Sequence, residues 1–216
     1  MSIQLDALES LRVIRSLMER AHIYRAISAP AATIGGLFAV AAGVAGAVPG
    51  VGEFFSQPRP FLATWLLILV LTSAANFWLL SREAARRNQP TISEGMRMAM
   101  RTILPPVGVG GILGIGTLLW SGDMGMAATY WMLFYGLALL GTHSFSPRSL
   151  VWLGWGFIAL GVALFAVLGS GYGDLQTFLR SGRGASLAMA ASFGLLHLIY
   201  AGCVCMGSKP EIRTQQ

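Results

Sequence analysis

Six hydrophobic stretches divide the chain, at residues 28–48, 61–81, 102–120, 126–143, 149–169 and 186–206, with short polar segments between them. Each is long enough for an α-helix to cross a hydrocarbon core of about 30 Å at about 1.5 Å per residue. The polar segments differ in charge. Their Lys and Arg residues number four, one, five, none, one, two and two, so alternate segments hold twelve on one side and three on the other. Basic residues accumulate on the cytoplasmic side of membrane proteins. The alternation therefore predicts an all-α polytopic protein, a bundle of six transmembrane helices with both termini cytoplasmic. Its expected organisation is a cytoplasmic amphipathic helix in residues 1–27, a six-span domain in 28–206 and a polar tail in 207–216.

The segments between the spans have patterns of their own. Ala7, Leu11, Ile14, Met18 and Ala21 recur at spacings of four and three, forming one stripe of a helix over residues 3–25. Such a stripe offers a seam to a partner helix or a second copy of the chain, or else it lies on the inner leaflet under the bundle. After Pro90, Thr91-x-x-Glu94 has the form of a capping box. It opens a short interfacial helix with Met96, Ala99, Met100 and Ile103 on one side and Arg97 and Arg101 on the other. Pro105-Pro106 then breaks the start of the third span, and Ser121-Gly122-Asp123 makes a tight external turn. Residues 49–60 and 170–185 are the other external loops, with Phe54 and Phe55 placed to dip into the interface. Trp65 and Trp78 in the second span, and Trp152 and Trp155 in the fifth, fall where aromatic belts are expected. Gly35, Gly36, Gly43 and Gly46 in the first span, and Gly110 and Gly114 in the third, are small enough for neighbouring backbones to approach closely.

Composition narrows the class. With 55% hydrophobic and 11% charged residues in 216, the chain is unlike a soluble domain, and six spans leave no room for a second one. The formal charge of +6 lies mostly on the inner side, where anionic inner-leaflet lipid accounts for it without nucleic acid. Nine inner arginines form two clusters: Arg12, Arg15, Arg20 and Arg25, then Arg82, Arg86, Arg87, Arg97 and Arg101. They mark a basic cytoplasmic face on which a protein partner could dock. Cys203-x-Cys205 would stay as thiols in a reducing cytoplasm, and lacks the histidine pair that a metal site needs. Ala45-Gly46-Ala47 has the form of a leader-peptide cleavage site. Ahead of it, however, Asp6, Glu9 and Glu19 stand among the arginines, unlike a short basic leader.

The interior of the spans is almost without charge, which argues against a proton- or cation-coupled transporter with a carboxylate at depth. No HExxH and no nucleophile elbow occurs, so neither an enzyme nor a cofactor is expected. The polar groups at depth are Asn76, Tyr135, His197 and Tyr200, with Ser73, Thr117, Thr129 and Ser192 as smaller members. Counted from the inner ends of their spans, Asn76, Tyr135 and His197 lie within roughly 6 Å of one another in depth. They form either a small polar site, in which His197 binds a ligand or passes a proton, or a satisfied network tying the second, fourth and sixth helices together. His22 and His143 lie at the inner boundary, where solvated or interfacial roles are expected.

Three short motifs carry a resemblance. Met18-Glu19-Arg20, Phe134-Tyr-Gly-Leu-Ala-Leu139 and Phe193-Gly-Leu-Leu-His-Leu-Ile-Tyr200 resemble an uncharacterised family of bacterial six-span inner-membrane proteins, often encoded beside a small winged-helix regulator. The chain departs from that family after the first motif, where Ala21-His22-Ile23-Tyr24 replaces a serine-rich stretch. The resemblance implies topology and setting but no activity. The leading expectation is a non-enzymatic accessory or sensing protein acting through its basic cytoplasmic face. The alternative is a small transporter or permease for a neutral or apolar solute, with a polar site around His197.

Overall fold

A computed structural model describes residues 11–12, 29–55, 57–86, 92, 94–171 and 173–207. From residue 29 onward these form α1 (Ala29–Ala47), α2 (Gly52–Phe55), α3 (Pro58–Arg86), α4 (Glu94–Ser121), α5 (Met124–Gly141), α6 (Arg148–Gly169), α7 (Gly173–Arg180), α8 (Gly182–Met189) and α9 (His197–Gly207). A π-helical stretch, Ala190–Leu196, joins α8 to α9. No strand occurs among the described residues. Six helices are long and apolar enough to cross a membrane: α1, α3, α4, α5, α6 and the continuous run Gly182–Met206. They match the six expected stretches one to one.

The helix expected over residues 3–25 lies outside the described residues, apart from Leu11 and Arg12, which are helical and exposed. Arg15, Arg20, His22, Arg25, Arg87, the capping Thr91 and residues 208–216 also lie outside them.

Three boundaries differ from the sequence reading. α3 runs for 29 residues and starts at Pro58, inside the expected loop 49–60; at its inner end the helix continues through Arg82 and Arg86. The Arg82 guanidinium lies 5.3 Å from the ring centre of the exposed Trp78. The expected interfacial helix and the third span are a single helix, α4, with Pro105 and Pro106 inside it. Each proline removes one backbone donor, at the carbonyls of Arg101 and Thr102, yet neither ends the helix, as membrane-spanning helices tolerate. The expected loop 170–185 is mostly helical. It forms α7 and the first turn of α8, which Ser181 caps by accepting from the Gly184 N–H at 3.3 Å.

Small residues set the packing. α1 packs against α8, the π-helical stretch and α9. A side chain at Gly43 would meet Ala190 and the Ser186 carbonyl, and one at Gly36 would meet Leu198 and the Gly194 carbonyl. α4, α5 and α6 form a second group in which Gly110 and Gly114 of α4 receive Phe134 and Trp131 of α5. This is the close contact expected from the four-residue spacing of those glycines. Phe157, Met132, Ala127, Ala128, Leu150 and Leu168 fill the core between these groups. By contrast α3 is peripheral, burying only Phe61, Trp65 and Ala84. Trp65 is therefore a core residue and not part of an exposed belt, whereas Trp78, Trp152 and Trp155 face outward.

Candidate polar cavity within the helix bundle

The two groups of helices do not close completely against α3. Between them lies a cavity of about 230 Å³, reached by residues of α1, α3, α4, α5 and the last span. α1 contributes only Ala31, Ala32, Gly35 and Ala39 to its wall, and α4 contributes Gly110 and Gly111 beside Val107 and Ile115. These small residues leave the space open; a Cβ at Gly111 would have no atom within 4 Å. Leu66 and Leu69 of α3 line the cavity and are also exposed, so it reaches the side of the bundle and not only its core.

Two of the residues singled out in the sequence meet at this cavity. The Tyr135 hydroxyl lies 3.0 Å from Nε2 of His197, and both residues line the space. His197 is the first residue of α9, so the π-helical stretch ends where its ring is placed. Insertions of that kind often mark functional positions, because the wider turn re-aims the side chains around it. Nδ1 of His197 lies 2.9 Å from the Phe193 carbonyl oxygen. A carbonyl only accepts, so Nδ1 carries the proton and donates. In the neutral imidazole Nε2 is then the acceptor, and the Tyr135 hydroxyl donates to it. The polarity of the pair follows from these two contacts alone.

Rings hold the pair in place. Tyr135, Phe157, Phe193 and His197 form a closed group with centroid separations from 4.7 to 6.3 Å, including edge-on contacts of Tyr135 and Phe193 with Phe157. Such arrangements are worth about 0.5–1.5 kcal/mol per pair beyond burial. At the other end of the cavity Trp131 stacks on Phe61, with centroids 6.1 Å apart and planes within 8°.

Asn76 is not brought into this group. Its Oδ1 is buried without a hydrogen-bond partner, and the residue does not line the cavity. Tyr200 is buried in the core three residues beyond His197 and also lies off the lining. Thr117, Thr129 and Ser192 donate to carbonyls of their own helices, and Ser73 is exposed.

A residue not singled out in the sequence joins the site instead. Thr72 lines the cavity, and its Oγ1 is buried with no partner. The contrast with other threonines is informative: Thr33, Thr102, Thr117, Thr129 and Thr177 each donate to the carbonyl four residues back. A buried hydroxyl left without a bond costs about 1–3 kcal/mol. The spacing Trp65, Ile68, Leu69, Thr72, Asn76 would have placed Thr72 on the inward stripe of α3. Depth alone had selected Asn76, one turn further along.

Besides the exposed Arg12, four of the nine arginines lie exposed near the ends of the two helices that form the cavity's outer wall. Arg82 and Arg86 lie at the end of α3, and Arg97 and Arg101 near the start of α4, all exposed. Comparison of the chain with protein-family profiles, with curated proteins and with solved structures finds no match.

Proposed function

We propose that the chain is a multi-pass protein of a bacterial inner membrane that works without catalysis, as a sensing or accessory protein. A small, mostly apolar molecule occupies the cavity, and the basic cytoplasmic face passes its presence to a protein partner or to anionic lipid. One observation carries this reading: α3 and α4, whose residues wall the cavity, continue directly into the helical ends that hold Arg82, Arg86, Arg97 and Arg101. A molecule that spreads α3 from α4 necessarily moves those arginines. The peripheral packing of α3 and the two prolines in α4 make these the helices that yield most easily. The resemblance to an uncharacterised bacterial six-span family agrees with the same setting.

The test is a distance measurement. Spin labels placed through Arg86→Cys and Arg97→Cys, in a chain carrying Cys203→Ser and Cys205→Ser, report the separation of the two helical ends. Saturating toluene should shift the distribution by about 1–2 Å or more, the scale of helix movements in switching proteins. If toluene binds and the distribution does not move, the sensing reading is wrong.

A permease for a neutral or apolar solute is the second reading, favoured by the same cavity reaching His197. It requires faster equilibration of the solute across proteoliposomes with the native chain than with His197→Phe. The sensing reading requires no difference.

A further inference from the structure

The lining specifies more than an apolar guest. Trp65, Trp131, Phe134 and Phe193 bring rings to the lining, beside the bare backbone of Gly111. Aromatic walls favour planar rings over flexible chains, through offset and edge-on contacts. Size agrees. An apolar cavity of about 150 Å³ suffices for benzene, so about 230 Å³ takes a ring with a short substituent.

The polar groups add a sign. The Tyr135 hydroxyl gives its proton to His197, so toward the cavity it presents only an acceptor oxygen. A guest that meets it must donate. A phenolic hydroxyl can donate to it; a quinone or an ether, having only acceptors, cannot.

We infer that the cavity is a binding site for a neutral planar ring bearing a hydroxyl group, a phenol-class molecule entering from the side of the bundle past α3. This rests on the sensing reading above and names the molecule sensed. The bound ring lies against Trp131 and Phe193, with its O–H on the Tyr135 oxygen.

The protein in lipid nanodiscs, titrated with para-propylphenol, para-propylanisole or propylbenzene, tests it. Tryptophan emission is the readout, since Trp65 and Trp131 line the cavity. The phenol should give a saturable change, and the anisole should bind about tenfold more weakly, the effect of one hydrogen bond of about 1.4 kcal/mol. In Tyr135→Phe the preference for phenol over anisole should shrink to about twofold or less, because the acceptor is gone. Gly111→Leu, which extends into open space, should abolish the saturable change with every probe while leaving the fold intact. Equal affinity of the native chain for phenol and anisole overturns the phenol inference but leaves an apolar cavity site standing. A Tyr135→Phe chain that keeps the full preference also overturns it. No saturable response to any probe overturns both this inference and the sensing reading. Should Tyr135→Phe fail to fold, the phenol-to-anisole comparison in the native chain decides the matter.

Discussion

A single methyl group has opposite consequences at neighbouring positions of α4. At Gly114 a Cβ would run into the indole of Trp131, and at Gly110 into Phe134, whereas at Gly111 it would meet nothing within 4 Å. Gly114→Ala should therefore destabilise the protein by about 1–3 kcal/mol, the usual cost of overpacking. Gly111→Ala should be neutral or stabilising by up to about 1 kcal/mol, from the lower backbone entropy of alanine. Unfolding in mixed micelles by titration with dodecyl sulfate measures both, and equal effects would contradict the α4–α5 packing. The four-residue spacing of Gly110 and Gly114 was legible as a contact face. That Trp131 and Phe134 fill it was not, because spacing on one helix carries no information about its neighbour. The polar residues show the same limit. Counting along a span gives depth, and depth brought Tyr135 and His197 together correctly, but it says nothing of rotation. Asn76 shares their depth and still lacks a partner, while Thr72, a turn away, reaches the cavity.

At the scale of elements, the expected external turn at Ser121-Gly122-Asp123 does more than reverse the chain. Gly122 takes a positive φ of 68°, and Asp123 caps α5 by accepting from the Met126 N–H at 2.9 Å. The other carboxylate oxygen of Asp123 pairs with Arg180 at the end of α7. Arg180 also donates to the Leu168 carbonyl near the end of α6, at 3.2 Å. One partly buried carboxylate thus ties together the α4–α5 turn, α7 and, through Arg180, the end of α6. Asp123→Ala should cost about 1 kcal/mol more than Asp123→Asn, since asparagine still caps. A double-mutant cycle of Asp123→Asn with Arg180→Gln should give a coupling of about 0.5–2 kcal/mol, limited by the partial exposure of Arg180. Zero coupling would mean that the ion pair does not hold α7. The sequence placed Asp123 in a turn and Arg180 in a loop, twelve residues or more from any contact it could name. Hydropathy finds where a span is apolar and fails where a helix continues as a polar one. For this reason the six spans were legible, and the capping box marked the helix leading into α4, but neither its continuity through Pro105 and Pro106 nor the helical start of α8 was.

For the whole molecule, the native side chains offer a test of orientation. Six helices able to cross a membrane fix an even number of crossings, so the ends of α1 and α9 nearest the termini lie on one side if all six span. The twelve-to-three distribution of basic residues is the basis for proposing that side as the cytoplasmic one. The same assignment puts the Asp123–Arg180 tie outside and the exposed Arg82, Arg86, Arg97 and Arg101 inside, so that each face carries one coherent set of charges. Cys203 and Cys205, the two cysteines of the chain, are exposed near the end of α9. A charged maleimide that cannot cross membranes should leave them unlabelled in intact spheroplasts and label them in inverted vesicles. Cys203→Ser with Cys205→Ser should remove the signal. Labelling in intact spheroplasts would reverse the orientation, move the arginines outside and take away the cytoplasmic face on which the sensing reading depends. The cavity would survive that reversal unchanged, because its wall and its Tyr135–His197 pair depend on packing alone. The binding site and the direction of signalling are thus separable, and the maleimide result bears only on the second.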